Sequence, residues 1–233
     1  MAMRQLSRMK IDDSQENVFW VTMADLLLGL AIIFMTLFVL AMSGFSRQSI
    51  GNKEEQAKAA AELAHKLEEA NIKATVDPVT SDVKIADGNL FAVGDYNLSA
   101  EGKLFLDKLM PIYINTIFSQ TELIESVETV VVQGHTDSQS FVGAKTKEEQ
   151  FIRNMDLSTK RANSVAEYIF KTHYDPKHNA KLTEILAVEG KSFTEPVFTD
   201  GKEDFAKSRR VELRLKVKDI NIPEALFSGV SRP

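Results

Sequence analysis

The chain has no cysteine. Disulfides, thiol catalysis and cysteine-held metals are therefore excluded. Histidine is scarce: His65, His135, His173 and His178 are the four, and none stands in an HExxH or other tight metal-ligand spacing. No metal or cofactor is implied. There is no long basic block, and the formal net charge is −5, so nucleic acid is not the main partner expected. There are no internal repeats and no low-complexity tract. The Asp137, His135 and Glu189 region offers no nucleophile, base and orienter at a recognisable spacing, so no enzyme is expected.

What the chain does have is one long apolar run, 18–42, VFWVTMADLLLGLAIIFMTLFVLAM. Its roughly 25 residues at 1.5 Å rise each would cross a hydrocarbon core of about 30 Å. The polar positions are Thr22, Asp25 and Thr36, with Gly29 as a small notch, and Trp20 stands where an interfacial aromatic belongs. Asp25 carries the only charge in the run. It lies about seven residues in, roughly 10 Å along the axis. A carboxylate at that depth is costly unless it is paired, protonated or facing water. A functional acid is one reading. A helix that begins at Leu26 and leaves Asp25 at the interface is the other. An export signal is disfavoured by Asp12, Asp13 and Glu16 just before the run.

The rest divides by composition. Residues 1–17 are a short polar tail. Residues 43–71 are a linker, polar to Asn52 and then strongly helix-forming over Glu54–Ala70, with Glu54/Lys58 and Glu62/Lys66 as i,i+4 pairs. Its small stripe of Ala57, Ala60, Ala64 and Leu67 suits close helix pairing, a spacer, or packing on the chain's own domain. Residues 72–218 form the folded domain, and 219–233 a peripheral tail. About 120–150 residues suffice for one compact core.

Within the domain, Ile72–Val76 and Val83–Ile85 read as short strands. Ser99 caps a helix whose Phe105, Leu109, Tyr113 and Ile117 recur at helical spacing, with Pro111 expected to bend or split it. Val127 to Gly134 is a strand, Ser138–Gln150 an open charged loop, and Leu157–Tyr174 a second amphipathic helix. Ile185–Val188 is a strand, Gly190–Gly201 a loop, and Val211, Leu213, Leu215 and Val217 alternate with charges in a half-buried final strand. Helices interleaved with strands imply an α+β sandwich of order βαβαββ, with helices on a mixed sheet.

Strand-end and helix-start positions converge on one sheet edge. There Thr136, Asp137, Asn154, Ser158 and Arg161 could build a zwitterion pocket. The acid would hold an amine and the arginine fork a carboxylate, with free N–H groups at the helix start. Mutual neutralisation of Asp137 and Arg161 is the structural alternative.

The runs FAVGDYNLSAEGKLFLDKL, GHTDS, NMDLSTKRANSVAEYI, the EGK…P stretch from Glu189 to Pro196 and the closing RRVEL resemble an OmpA-like peptidoglycan-binding domain over about residues 84–217. That resemblance implies that Asp137 and Arg161 hold the diaminopimelate end of a peptidoglycan stem peptide, with Thr136, Asn154, Leu157 and Ser158 lining the same site. Two departures are the long 138–150 loop and Ser208 where the family has asparagine. The N-terminal part resembles MotB-like stator subunits, and FWVTMADLLLGLAIIF most resembles the B subunits of Zorya anti-phage systems, with a flagellar subunit or a passive peptidoglycan tether as the alternatives. The implied protein is a dimer in the bacterial inner membrane, its N-terminus cytoplasmic and its domain periplasmic. Two copies would pass through a ring of five MotA-like A subunits, Asp25 would carry protons, and the 43–71 linker would be the place for a plug against leak.

Overall fold

The structure, a computed structural model, describes the backbone of residues 2–139 and 143–218 and the side chains of residues 18–42, 53–139 and 143–218. The expected C-terminal tail, 219–233, lies outside the described residues, as do the side chains of the N-terminal tail. The described residues fall into two compact units, one holding residues 2–49, the other residues 50–218.

Helix α1 spans Ala2–Glu69. In the first unit its Val18–Met42 stretch has a mean hydropathy of 2.5 and is long and apolar enough to cross a membrane. The Thr36 hydroxyl donates to the Ile32 carbonyl one turn back at 2.6 Å, and Thr22 does the same to Val18. Local bonds of this kind let threonine sit on an apolar helix.

In the second unit the end of α1 is a core element. Ala59, Ala60, Leu63 and Leu67 are buried, whereas Ala57 and Ala64 are exposed. The alanine stripe therefore packs on the chain's own domain, and its buried line runs beside the one expected. Gln56 closes the contact: its carbonyl accepts from the Ser81 hydroxyl at 2.6 Å, and its side chain reaches the Leu215 carbonyl at 3.4 Å.

The remaining elements are β1 (Thr75–Val76), β2 (Val83–Ala86), α2 (Ala100–Ser119), α3 (Thr121–Ser126), β3 (Val127–His135), α4 (Lys147–Ile169), α5 (Asn179–Ile185), β4 (Leu186–Gly190), β5 (Phe198–Thr199), β6 (Lys202–Glu203), α6 (Phe205–Ser208) and β7 (Arg210–Val217). Five strands make one sheet in the order β1-β2-β7-β3-β4. Only β3 and β4 pair in parallel, so the sheet is mixed, and α4 and α5 make the crossover between them. Val130, Val132, Val211, Leu213 and Leu215 face the helices and are buried with Leu106, Leu109, Tyr113, Ile117, Val165 and Ile169. The α+β expectation is borne out.

Four local expectations change. Pro111 does not split α2, which runs on to Ser119 because Met110, Tyr113, Ile114 and Ile117 are buried on both sides of it. Helix α4 starts at Lys147, ten residues before Leu157, capped by Thr146, whose hydroxyl accepts from the Glu149 amide at 3.1 Å. The end of the supposed loop at 190–201 closes into the β5–β6 hairpin, with Asp200 and Gly201 both at positive φ, as a two-residue hairpin turn needs. Finally, β7 is not half-exposed at its start. Arg210 and Glu212 are buried too, and Arg210 Nη1 donates to the carbonyls of Glu195 and Ser208.

Candidate functional site

Two glycines place the site. Gly134 on β3 and Gly190 on β4 are paired neighbours. A Cβ on Gly134 would meet the Ser158 carbonyl oxygen at 2.0 Å, and one on Gly190 would meet the Thr159 hydroxyl at 2.1 Å. The backbone of α4 therefore lies almost on the sheet. Asn154, Leu157 and Arg161, on the face turned to the strand end, are thereby held over Thr136 and Asp137, which follow β3.

These residues line a cleft of about 440 Å³ with Asp87, Val93, Gly94, Gln139 and Arg209. Five of the six expected wall-binding residues are brought together: Thr136, Asp137, Asn154, Leu157 and Arg161. Ser158 stands apart. Its hydroxyl donates to the Met155 carbonyl and accepts from the Ser192 amide at 3.1 Å, which braces α4 against the turn after β4. Ser208 is also a brace, fully buried, with its hydroxyl accepting from the Val197 amide at 3.0 Å.

Asp137 and Arg161 do not neutralise each other. Arg161 Nη1 lies 2.9 Å from Asp87 Oδ1, its Nε donates to the Asp95 carbonyl at 2.8 Å, and its guanidinium sits 5.2 Å from the Phe91 ring centre. Asp137 is held instead by Arg209. The cleft thus carries two opposed ion pairs, a balance that suits a ligand bearing both an amine and a carboxylate. Asp87 and Arg209 escaped the sequence reading. Arg209 stood inside the RRVEL run without a role, and Asp87 sits in a DGN turn that carries no pattern.

Burial is what strains these pairs. It pushes the Asp87 carboxyl above its ordinary range, against the pull of Arg161 and Arg209. It also pushes Arg161 below its ordinary value, against the pull of Asp87. Both shifts have the sign of incomplete solvation of buried charge. Two acceptors agree with that. The Thr136 hydroxyl, on a residue 3 % exposed, has no hydrogen-bond partner among the described residues, and Asp87 Oδ1, though close to Arg161, is not aligned for one. A polar ligand would supply both.

The early start of α4 removes one expected feature. Its N-terminus is a full two turns before Asn154, so its free N–H groups do not serve the cleft. Arg161 lies mid-helix, not in an opening turn. The ends of the long loop are tied down: Glu203 accepts from the Ser138 amide at 3.1 Å and from its hydroxyl, and Gln150 donates to the Ser138 carbonyl at 2.7 Å.

A mixed sheet with an acid-and-arginine cleft at its strand ends is an OmpA-type domain. The sequence model described as OmpA family matches residues 90–210, and the chain belongs to that family. Its members are structural proteins, not catalysts. Over most of its length the chain is similar to Zorya protein ZorB of Escherichia coli strain Crooks, 27% identical over 212 residues, which cover 86% of this chain and 88% of that one. A second Zorya protein ZorB, from Escherichia coli O139:H28, is 24% identical over 213 residues, covering 88% and 82%. The crystal structure of a MotB-like protein from Desulfovibrio vulgaris shares the fold at a TM-score of 0.51 and 20% identity, covering 72% of this chain and 94% of its own. The chain is a ZorB- and MotB-like OmpA-domain protein with an N-terminal apolar helix, in line with the sequence expectation.

Proposed function

We propose that this chain is the wall-anchored stator subunit of a proton-driven motor in the bacterial inner membrane, acting in anti-phage defence. One juxtaposition carries the reading: a single acid, Asp25, within an apolar run fit to span a membrane, on the same chain as a cleft of paired charges fit for a zwitterion. The N-terminus is cytoplasmic and the OmpA-like domain periplasmic. Two copies pass through a ring of five A subunits. Asp25 accepts a proton from the periplasmic side and releases it inward, and a membrane potential of about 100 mV supplies roughly 2.3 kcal/mol per charge. In the cleft, Arg161 takes a stem-peptide carboxylate and Asp137 the neighbouring amine. Because the domain grips the wall, rotation falls on the ring and not on this chain. Similarity to Zorya ZorB proteins along most of the chain supports defence over motility as the output.

The test is a plaque assay in cells carrying the neighbouring genes, with protein levels and swimming followed alongside. Asp25→Asn is expected to abolish protection at normal protein level. Full protection would remove the proton role and leave a passive tether, and a swimming defect alone would move the chain to the flagellum. In sedimentation with purified peptidoglycan, Arg161→Lys is expected to weaken retention about tenfold or more, since it keeps the charge and loses the fork. Retention equal to wild type would sink the cleft as the wall site.

A further inference from the structure

Asp87 is the cleft acid that no sequence motif announced. It follows β2, and its backbone is locked. Its amide donates to the Arg209 carbonyl at 3.1 Å, and its carbonyl accepts from the amides of Leu90 at 2.9 Å and Phe91 at 3.0 Å. From that fixed backbone the side chain enters the cleft wall, where the residue is 7% exposed. Arg161 Nη1 lies 2.9 Å from Oδ1 but is not aligned for a hydrogen bond, so among the described residues Oδ1 has no donor. The buried Thr136 hydroxyl, in the same wall, is equally unpartnered. Asp137 is in the opposite condition. Arg209 holds its Oδ2, and its Oδ1 accepts from the Gln139 amide at 3.1 Å. A buried carboxylate short of a donor is costly, more so than a neutral group. The missing donor is therefore wanted at Asp87 and Thr136 before Asp137.

The covalent structure of a zwitterionic end says which donor arrives there. In an amino-acid end the nitrogen and the carboxylate share one carbon. A carboxylate on Arg161 thus brings the ammonium beside the acids that flank this arginine. Asp87 and Asp137 both favour the charge on Arg161, and Asp137 in turn opposes the charge on Asp87, so the two acids are close neighbours. A primary ammonium carries three N–H donors and no acceptor. Asp87 Oδ1, the Thr136 hydroxyl and the Asp137 carboxylate can take one each. Acylating that nitrogen, as a cross-link between stems does, removes its charge and all but one of its donors, and leaves a buried acid unmet.

Resting on the wall-binding reading of the cleft, we infer that Asp87, together with Thr136, seats the ligand's ammonium beside Asp137, so that the domain selects stems whose diaminopimelate amine is free over stems in which it is acylated. The test uses the full chain in detergent micelles and two probes, a diaminopimelate-containing stem tripeptide and the same tripeptide acetylated on the side-chain nitrogen of its diaminopimelate. Wild type should bind the free amine about tenfold or more tightly than the acetylated form. Asp87→Asn should shrink that preference about threefold or more, with the loss falling on the free-amine probe. Thr136→Val removes one acceptor without touching an ion pair, and it should shrink the preference in the same direction. Equal affinity of wild type for both probes overturns the seat. So does an undiminished preference in Asp87→Asn and Thr136→Val, because Asp137 would then hold the amine unaided. Equal weakening of both probes in the two variants also overturns it, because Asp87 and Thr136 would then merely support the cleft. If wild type binds neither probe, the cleft reading and the seat fall together; if it binds both alike, only the seat does.

Discussion

His135 makes the domain's stability depend on pH, by an amount the structure sets. The residue is 1% exposed, and neither ring nitrogen has a hydrogen-bond partner among the described residues. Glu212 Oε2 is 3.9 Å from Nε2, but that carboxylate is already held by Arg210 at 2.5 Å. Burial, first, and then Arg210, Lys191 and Arg214 oppose a charge on the ring, and Glu212 only partly favours one. The pKa is pushed down from 6.5 to about 4. The unfolded chain therefore binds a proton in a window where the folded chain does not, so stability rises with pH there. The contribution is complete above 6.5, is lost as the pH falls through the window, and levels off below about 4. The gap corresponds to about 3 kcal/mol. Urea unfolding of the full chain in micelles, followed by near-ultraviolet circular dichroism between about pH 7.5 and about pH 4, measures it. His135→Leu removes the titration and two unpartnered nitrogens, so near neutrality it should change stability little, and in acid it should be the more stable form. Comparing the two proteins cancels the other titrating groups, such as Glu189, which burial raises but Lys216, Lys191 and Gln133 together pull down to about 2. Parallel pH profiles for wild type and His135→Leu would refute the argument.

Two further outcomes follow from packing. Gly134→Ala drives a methyl into the Ser158 carbonyl, so α4 must lift; stability should fall by about 3 kcal/mol or more, with wall retention lost in the same variant. Leu63→Ala in the last turns of α1, at a fully buried site, should cost about 2–5 kcal/mol in the same urea experiment. A change within error would mean that this stretch is a spacer and not part of the core.

Much of the chain was legible because its signals were periodic. The apolar run, the alternation of β7 and the second half of α4, with Ala162, Val165, Ala166 and Ile169 facing in, follow directly from burial against hydrocarbon or core. The first half of α4 was illegible for the converse reason. Its inward stripe is Asn154, Ser158 and Arg161, which face a polar cleft and a brace, so no apolar period announces a helix there. The same holds for the start of β7, where a charged alternation suggested open water and the structure buries Arg210 and Glu212 beside His135.

Sequence alone determined the composition-borne facts: no thiol chemistry, one run able to span a membrane with one acid in it, a helix-and-strand domain, and the ordered motifs that bring Thr136, Asp137, Asn154, Leu157 and Arg161 to notice. Only the tertiary structure decided how those charges are spent. Asp87 and Arg209 are distant in sequence from the residues they pair with, and nothing local marks them. Pairing across the cleft depends on how closely α4 approaches the sheet, and that distance is set by the absence of two side chains, at Gly134 and Gly190, on neighbouring strands.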